Sequence, residues 1–164
     1  MAVPSASPLF LREPEIRRGM ELLYFGYSHF SRAIEAVLEK LELGRAHQRA
    51  LYFIARQPDL PVGELLEILN ITKQSLGRVL NEMTARGLLE IRPGERDRRQ
   101  RLLRLSPAGA KLEAELFEVL RDQMATAYAE AGQGSVTGFW QVLEGLIPAK
   151  NRELIGKLGN SRES

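Results

Sequence analysis

The sequence predicts a mainly α-helical chain carrying one small β-hairpin, an α+β arrangement. Three observations predict it. Apolar residues recur every third or fourth position over most of the 164 residues, the period of a half-buried helix. Two short runs, LLEIR (88–92) and RLLRL (101–105), interrupt that period around Pro93-Gly94 and read as paired strands. Serine, threonine, proline and glycine fall where helices start and stop.

Taken in order, the first eight residues, MAVPSASP, have neither a basic start nor an apolar stretch, so no signal peptide is expected; residues 1–12 read as a disordered tail. Pro14 suits the first turn of a helix. Ile16, Met20, Leu23, Tyr27, Phe30, Ile34, Val37 and Leu41 then alternate in steps of four and three. That spacing predicts one long helix with a heptad seam, ended by Gly44 as C-cap. Leu22, Phe25 and Leu38 lie off the seam, so a second face also needs cover. A second helix is expected over 45–56, with Leu51 and Ile54 inward. Pro58 and Pro61 bracket a turn, and a third helix over 62–69 presents Leu65, Leu66 and Leu69. Asn70 to Thr72 is a tight connection with Thr72 as N-cap of a fourth helix, 73–86, which Gly87 stops. The hairpin follows. Ser106-Pro107 opens a fifth helix to about Glu130. GQGS (132–135) breaks the chain, a last helix begins near Ser135, Pro148 kinks or divides it, and the end frays at Gly156, Gly159 and the 159–164 tail.

Charge is uneven along this layout. The net charge is only +2, yet residues 72–104 hold nine lysines and arginines against four carboxylates. Six of the arginines lie between Arg92 and Arg104, in and beside the hairpin. A near-neutral body with one basic patch suggests a localised anionic partner. The absence of cysteine excludes disulfides, a thiol nucleophile, a thiol redox sensor and cysteine-ligated zinc. The longest apolar run, Ala50 to Ala55, is far too short to span a bilayer, so the cytoplasm is the expected compartment and no membrane partner is expected. His29 and His47 stand apart from any carboxylate cluster, and no G-x-S-x-G frame occurs, so neither a metal site nor catalysis is expected.

Two short helices joined by a three-residue turn form a helix-turn-helix, and the basic hairpin behind them makes it winged. The second helix offers Thr72, Lys73, Gln74 and Ser75 at its start and Arg78 one turn on, which suits entry into a DNA major groove. Arginines at a hairpin tip suit a narrow minor groove and phosphate, so Arg96, Arg98, Arg99 and Arg101 are the expected wing contacts, with Asp97 shaping the tip. Gly77 costs about 1 kcal/mol against alanine within a helix; close approach to a DNA strand and a packing role are both open.

Residues 60–109 resemble the DNA-binding module of MarR-type transcriptional regulators, most specifically in DRR (97–99) and LRLSPAG (103–109). The second is close to the family's L-x-L-T-x-x-G exit, with Ser106 where threonine is usual. The flanking helices resemble the family's dimerisation region, so the likeness covers about residues 14–158. The resemblance implies a homodimeric, sequence-specific regulator, most simply a repressor, acting on a pseudo-palindromic operator. Residues 45–105 would bind DNA, 13–44 and 106–158 would pair the protomers, and Arg99 would enter the minor groove. No cofactor is implied. A small-molecule effector is, with a pocket near Tyr24, Tyr27, His29, Phe30, Arg49 and Tyr52; core and dimer packing is the alternative for those side chains. The other function class is a winged-helix module that binds protein or coats DNA without sequence preference.

Overall fold

The computed structural model describes residues 8–159. A 3-10 turn, Pro8–Leu11, precedes eight α-helices and three strands: α1 (Glu13–Arg32), α2 (Glu35–Lys40), α3 (Arg45–Arg56), β1 (Leu60–Pro61), α4 (Val62–Leu69), α5 (Lys73–Ala85), β2 (Leu89–Pro93), β3 (Arg101–Leu105), α6 (Pro107–Ala131), α7 (Gln133–Leu146) and α8 (Ala149–Gly159). The tail expected over 1–12 is thus ordered at Pro8–Leu11; residues 1–7 and 160–164 of the two expected tails lie outside the described residues.

One core unites the middle of the chain. Leu51 and Ile54 of α3, Leu65 of α4, Leu76, Leu80 and Met83 of α5, Leu60 of β1, Leu103 of β3 and Leu116 of α6 are all fully buried. Leu103 sits at its centre because β3 is the middle strand: Leu60 faces it from β1 and Ile91 from β2, both antiparallel. The expected two-stranded hairpin therefore has a third strand. Pro61 is tolerated there because an edge strand has one side without ladder bonds.

The long N-terminal helix is two helices. The chain breaks at Ala33-Ile34, and the seam divides with it: Ile34 enters the core, as does Leu38 from the second face, whereas α1 buries no residue. Nor does Gly44 cap α2. Glu42 takes the left-handed conformation (φ 54°), the Leu43 N–H bonds the Leu38 carbonyl at 2.9 Å, and the Glu42 N–H bonds that of Glu39 at 3.0 Å. This is a Schellman cap whose flanking Leu38 and Leu43 are both buried in the core, and that burial offsets the strain of a non-glycine residue. Gly44 is extended and serves as N-cap of α3. Gly87, as expected, closes α5 with the same pair of bonds at φ 70°.

The C-terminal breaks are shorter than expected. Gly132 alone, at φ 81°, separates α6 from α7, so α7 starts two residues before Ser135. Pro148 divides α7 from α8, and α8 continues through Gly156, where fraying was expected. Ile34, Leu38 and Leu116 also carry the core across the boundaries expected at residues 44 and 106.

Candidate nucleic-acid interface

The turn between α4 and α5 is set by Asn70 in the left-handed region (φ 50°, ψ 47°) and by Thr72 as N-cap. The Thr72 hydroxyl oxygen accepts the Ser75 N–H at 3.1 Å and its O–H donates to Ser75 Oγ at 2.9 Å. Both hydroxyls therefore serve the cap first. Leu76, Val79, Leu80 and Met83 bury the other side of α5. Lys73, Gln74 and Arg78 stand exposed at its start, with no hydrogen-bond or ion-pair partner among the described residues. A Cβ added at Gly77 would meet nothing within 4 Å, so packing does not require this glycine. Gly77→Ala should raise unfolding stability by up to about 1 kcal/mol. If a sugar-phosphate strand passes this point, the same variant should bind DNA more weakly. Thermal melts and affinities on one duplex check both signs.

Two side chains that sequence reasoning passed over fix the pose of α5. Arg86 donates to the Leu41 and Glu42 carbonyls at 2.6 and 3.0 Å, tying its C-terminal end to that of α2. His47 accepts the Gly44 N–H on Nδ1 at 3.0 Å, which leaves the proton on Nε2 for Glu82 Oε2 at 2.6 Å. That histidine joins α3 to α5.

The wing is a closed loop. The Gly94 N–H donates to the Gln100 carbonyl at 2.9 Å, and the Gln100 N–H to that of Asp97 at 3.0 Å. A Cβ on Gly94 would stand 2.6 Å from the Asp97 carbonyl oxygen, so glycine is required by this approach. The Asp97 carboxylate accepts the Arg99 backbone N–H at 3.0 Å and its Nε–H at 3.3 Å. The Arg99 side chain, 94% exposed, is thereby aimed from the tip. Arg96 and Arg98 share the tip; Arg101 lies lower, as the first residue of β3 opposite Pro93.

Not all the arginines of the run face outward. Arg104 holds Asp59 through two bonds, Nε to Oδ1 at 3.1 Å and Nη2 to Oδ2 at 2.5 Å, and steadies Asp59 in a left-handed turn (φ 63°). Arg92 pairs with Glu90 at 2.8 Å. The Arg104 hydrogen bond holds the Asp59 carboxyl below the usual carboxylate range, opposed in part by desolvation. A lowered carboxyl favours the fold above its unfolded pKa and loses that contribution as pH falls through the folded value. The pair is exposed, so the contribution to stability is small. The shift itself is the measurable: in Arg104→Ala, the Asp59 carbon resonance should titrate at a higher pH.

A cavity of about 670 Å³ lies between α1, α3, α4 and α6. The structure brings Tyr27, Phe30, Arg49 and Tyr52 to its wall, with Arg49 donating to the Tyr27 hydroxyl at 2.6 Å. It does not bring Tyr24 or His29. Tyr24 lies one turn beyond the mouth, edge-on to Phe25, and His29 is on another face of α1. Sequence reasoning missed Arg45, Gln48, Phe117, Arg121 and Tyr128. Their signal was helical spacing: 45, 48, 49 and 52 share one face of α3, and 117, 121, 124 and 128 one face of α6. Arg45 and Arg121 already have carboxylates, Glu35 and Glu118, whereas Arg49 meets only the Tyr27 phenol among the described residues.

Comparison with known proteins agrees with this geometry. The sequence profile of the MarR family matches residues 41–100. The HTH-type transcriptional regulator PetP of Rhodobacter capsulatus is 46% identical over 145 residues, covering 88% of this chain and 87% of that protein. Among solved structures, a cysteine-to-serine mutant of MarR from E. coli complexed with operator DNA superposes with a TM-score of 0.62 at 20% identity, covering 82% of this chain and 96% of that one. NadR in complex with 4-hydroxyphenylacetate gives a TM-score of 0.64 at 19% identity, covering 89% and 96%. The two structural likenesses show a shared fold.

Proposed function

The chain belongs to the MarR family of DNA-binding transcriptional regulators, and on that premise we propose that it acts as a homodimeric repressor on a pseudo-palindromic operator. It is a regulator, not an enzyme. In this reading Lys73, Gln74 and Arg78 enter the major groove, Thr72 and Ser75 fix the start of α5 against phosphate, and the wing reaches the minor groove. Residues 45–105 make the DNA contact, and 13–44 with 106–158 pair the protomers. The observation that carries the reading is the wing tip, where the Asp97 carboxylate orders the exposed Arg99.

The apolar surface supports pairing. Met20 is 66% exposed and Trp140 52%, and Ile16, Leu22, Leu23, Phe25, Val142 and Leu146 are exposed with them. A twenty-residue helix that buries nothing in its own chain needs a partner surface. The cavity supports an effector with an apolar body and an anionic group that Arg49 would meet; NadR, of the same fold, is seen with 4-hydroxyphenylacetate. Among the described residues no helix is long and apolar enough to cross a membrane, and a regulator that acts on the operator works in the cytoplasm.

The test is affinity for a duplex selected by the wild-type protein from a random library. Arg99→Ala should lose about 1–3 kcal/mol and its preference for A·T pairs under the wing. Asp97→Ala should also weaken binding, by about 1 kcal/mol at moderate salt, because freeing Arg99 raises the entropy cost of ordering it on DNA. Tighter binding by Asp97→Ala would reduce the wing to a charge patch. Equal losses on every sequence would favour a non-specific coat.

A further inference from the structure

Helix α8 returns to the helix-turn-helix of its own chain. Leu154 and Leu158, one turn apart, are half-buried, so one edge of α8 lies against the body. Arg56, at the end of α3, donates a 2.6 Å hydrogen bond to the Leu158 carbonyl. Carbonyls in the last turn of a helix lack partners within it, and a cation is favoured there. Along the other edge, Lys150 Nζ stands 3.9 Å from Glu67 Oε1 and Lys157 Nζ 3.7 Å from Glu64 Oε1. Glu64 and Glu67 are neighbours on one face of α4, and Lys150 and Lys157 are two turns apart on one face of α8. The two ion pairs and the Arg56 bond share one register.

The same carboxylates have a second set of cationic neighbours. A groove of about 440 Å³ separates α4 from the wing; Glu64 and Glu67 line one side, and Arg99, Gln100 and Arg101 the other. Glu64 Oε2 is buried there with no hydrogen-bond partner among the described residues. Left without the lysines, this acidic face would act twice in the same direction. It would draw the wing arginines inward, and it would repel an approaching phosphate.

We propose that α8 is a strap that keeps the wing competent: by holding Lys150 and Lys157 on Glu67 and Glu64, it neutralises the acidic face of α4 and leaves Arg99 and Arg101 to DNA. The inference rests on the reading of the wing as a DNA contact. Both ion pairs are long, and their lysines and Glu67 are exposed, so salt weakens them and release of the strap is easy. Displacing α8 lowers DNA affinity without altering any residue assigned a DNA contact.

The experiment is a double-mutant cycle in the full-length protein with two readouts. The first is affinity for a mixed-sequence DNA duplex; the second is hydrogen exchange of the α8 amides without DNA. Lys150→Gln with Lys157→Gln should weaken binding roughly threefold to tenfold and speed exchange across 149–159. In a Glu64→Gln, Glu67→Gln background, the same lysine changes should cost less than about twofold, since no acidic face remains to be neutralised. Equal losses in both backgrounds would mean that the lysines act only through long-range charge, and would overturn the inference alone. Unchanged α8 exchange in the lysine variant would overturn the docking. Failure of the wild-type protein to bind any duplex would overturn the DNA reading and the inference together, and is visible before any variant is made.

Discussion

A Leu23→Asp variant is expected to run as a monomer and to lose at least about 100-fold in affinity for a two-half-site duplex. Leu23 sits in the exposed seam of α1 with Ile16 and Met20, and none of them is covered by the chain itself. A carboxylate placed there must be desolvated wherever a partner helix covers it, and an unpaired buried charge is far more costly than a lost methyl contact. The core lies elsewhere, around Leu51, Leu80 and Leu103, so each protomer should keep its fold. On the proposed dimer, the loss would come from uncoupling two DNA-binding units that the pair presents together. Light scattering and a gel shift on the same sample check it. A variant that stays dimeric and binds like wild type would remove α1 from the interface.

Gly109→Ala is expected to lower stability by about 3 kcal/mol, near the upper end for overpacking. The reason is local. The Ser106 N–H bonds the Leu88 carbonyl at 3.0 Å and its hydroxyl donates to the Gly87 carbonyl at 2.6 Å, so the first turn of α6 is pressed onto the start of β2. The Ser106 hydroxyl oxygen also accepts the Gly109 N–H at 3.0 Å. A Cβ on Gly109 would stand 2.0 Å from the Leu88 carbonyl oxygen, which is backbone and cannot swing aside. Either α6 lifts off or the sheet shifts beneath it. Gly63→Ala on α4 is the control: open space surrounds that position, so it should be neutral or mildly stabilising. Thermal unfolding of the two variants separates them; matching midpoints would show that α6 yields freely.

The winged unit could be read from the sequence because its instructions are local. Thr72 caps α5 three residues ahead of Ser75, Gly87 closes it, Gly94 turns the wing, and Ser106 caps α6. Asp97 and Arg99 are two residues apart, so their pairing was also within reach. Long-range features were not. The seam from Ile16 to Leu41 keeps a perfect heptad spacing, yet Ile34 and Val37 pack in their own chain whereas Ile16, Met20 and Leu23 stand exposed. Spacing alone does not distinguish those partners. Strand β1 is two residues long and owes its existence to β3, some forty residues on. Arg104 and Arg86 looked like the other arginines but are taken up by Asp59 and the end of α2, each about 45 residues away in sequence. The cavity needed α6 laid beside α3, which no spacing within either helix specifies.

In the proposed complex, paired copies of α5 and the wing read DNA through both grooves. Hydroxyl-radical footprinting on a duplex selected by the wild-type protein tests it most directly. Two equivalent half-sites should appear, centred about one helical turn apart, roughly 34 Å. Each should be flanked by minor-groove protection that Arg99→Ala removes while the backbone protection centred on the half-site persists. Continuous protection along any sequence, or a single half-site with no symmetric mate, would contradict it.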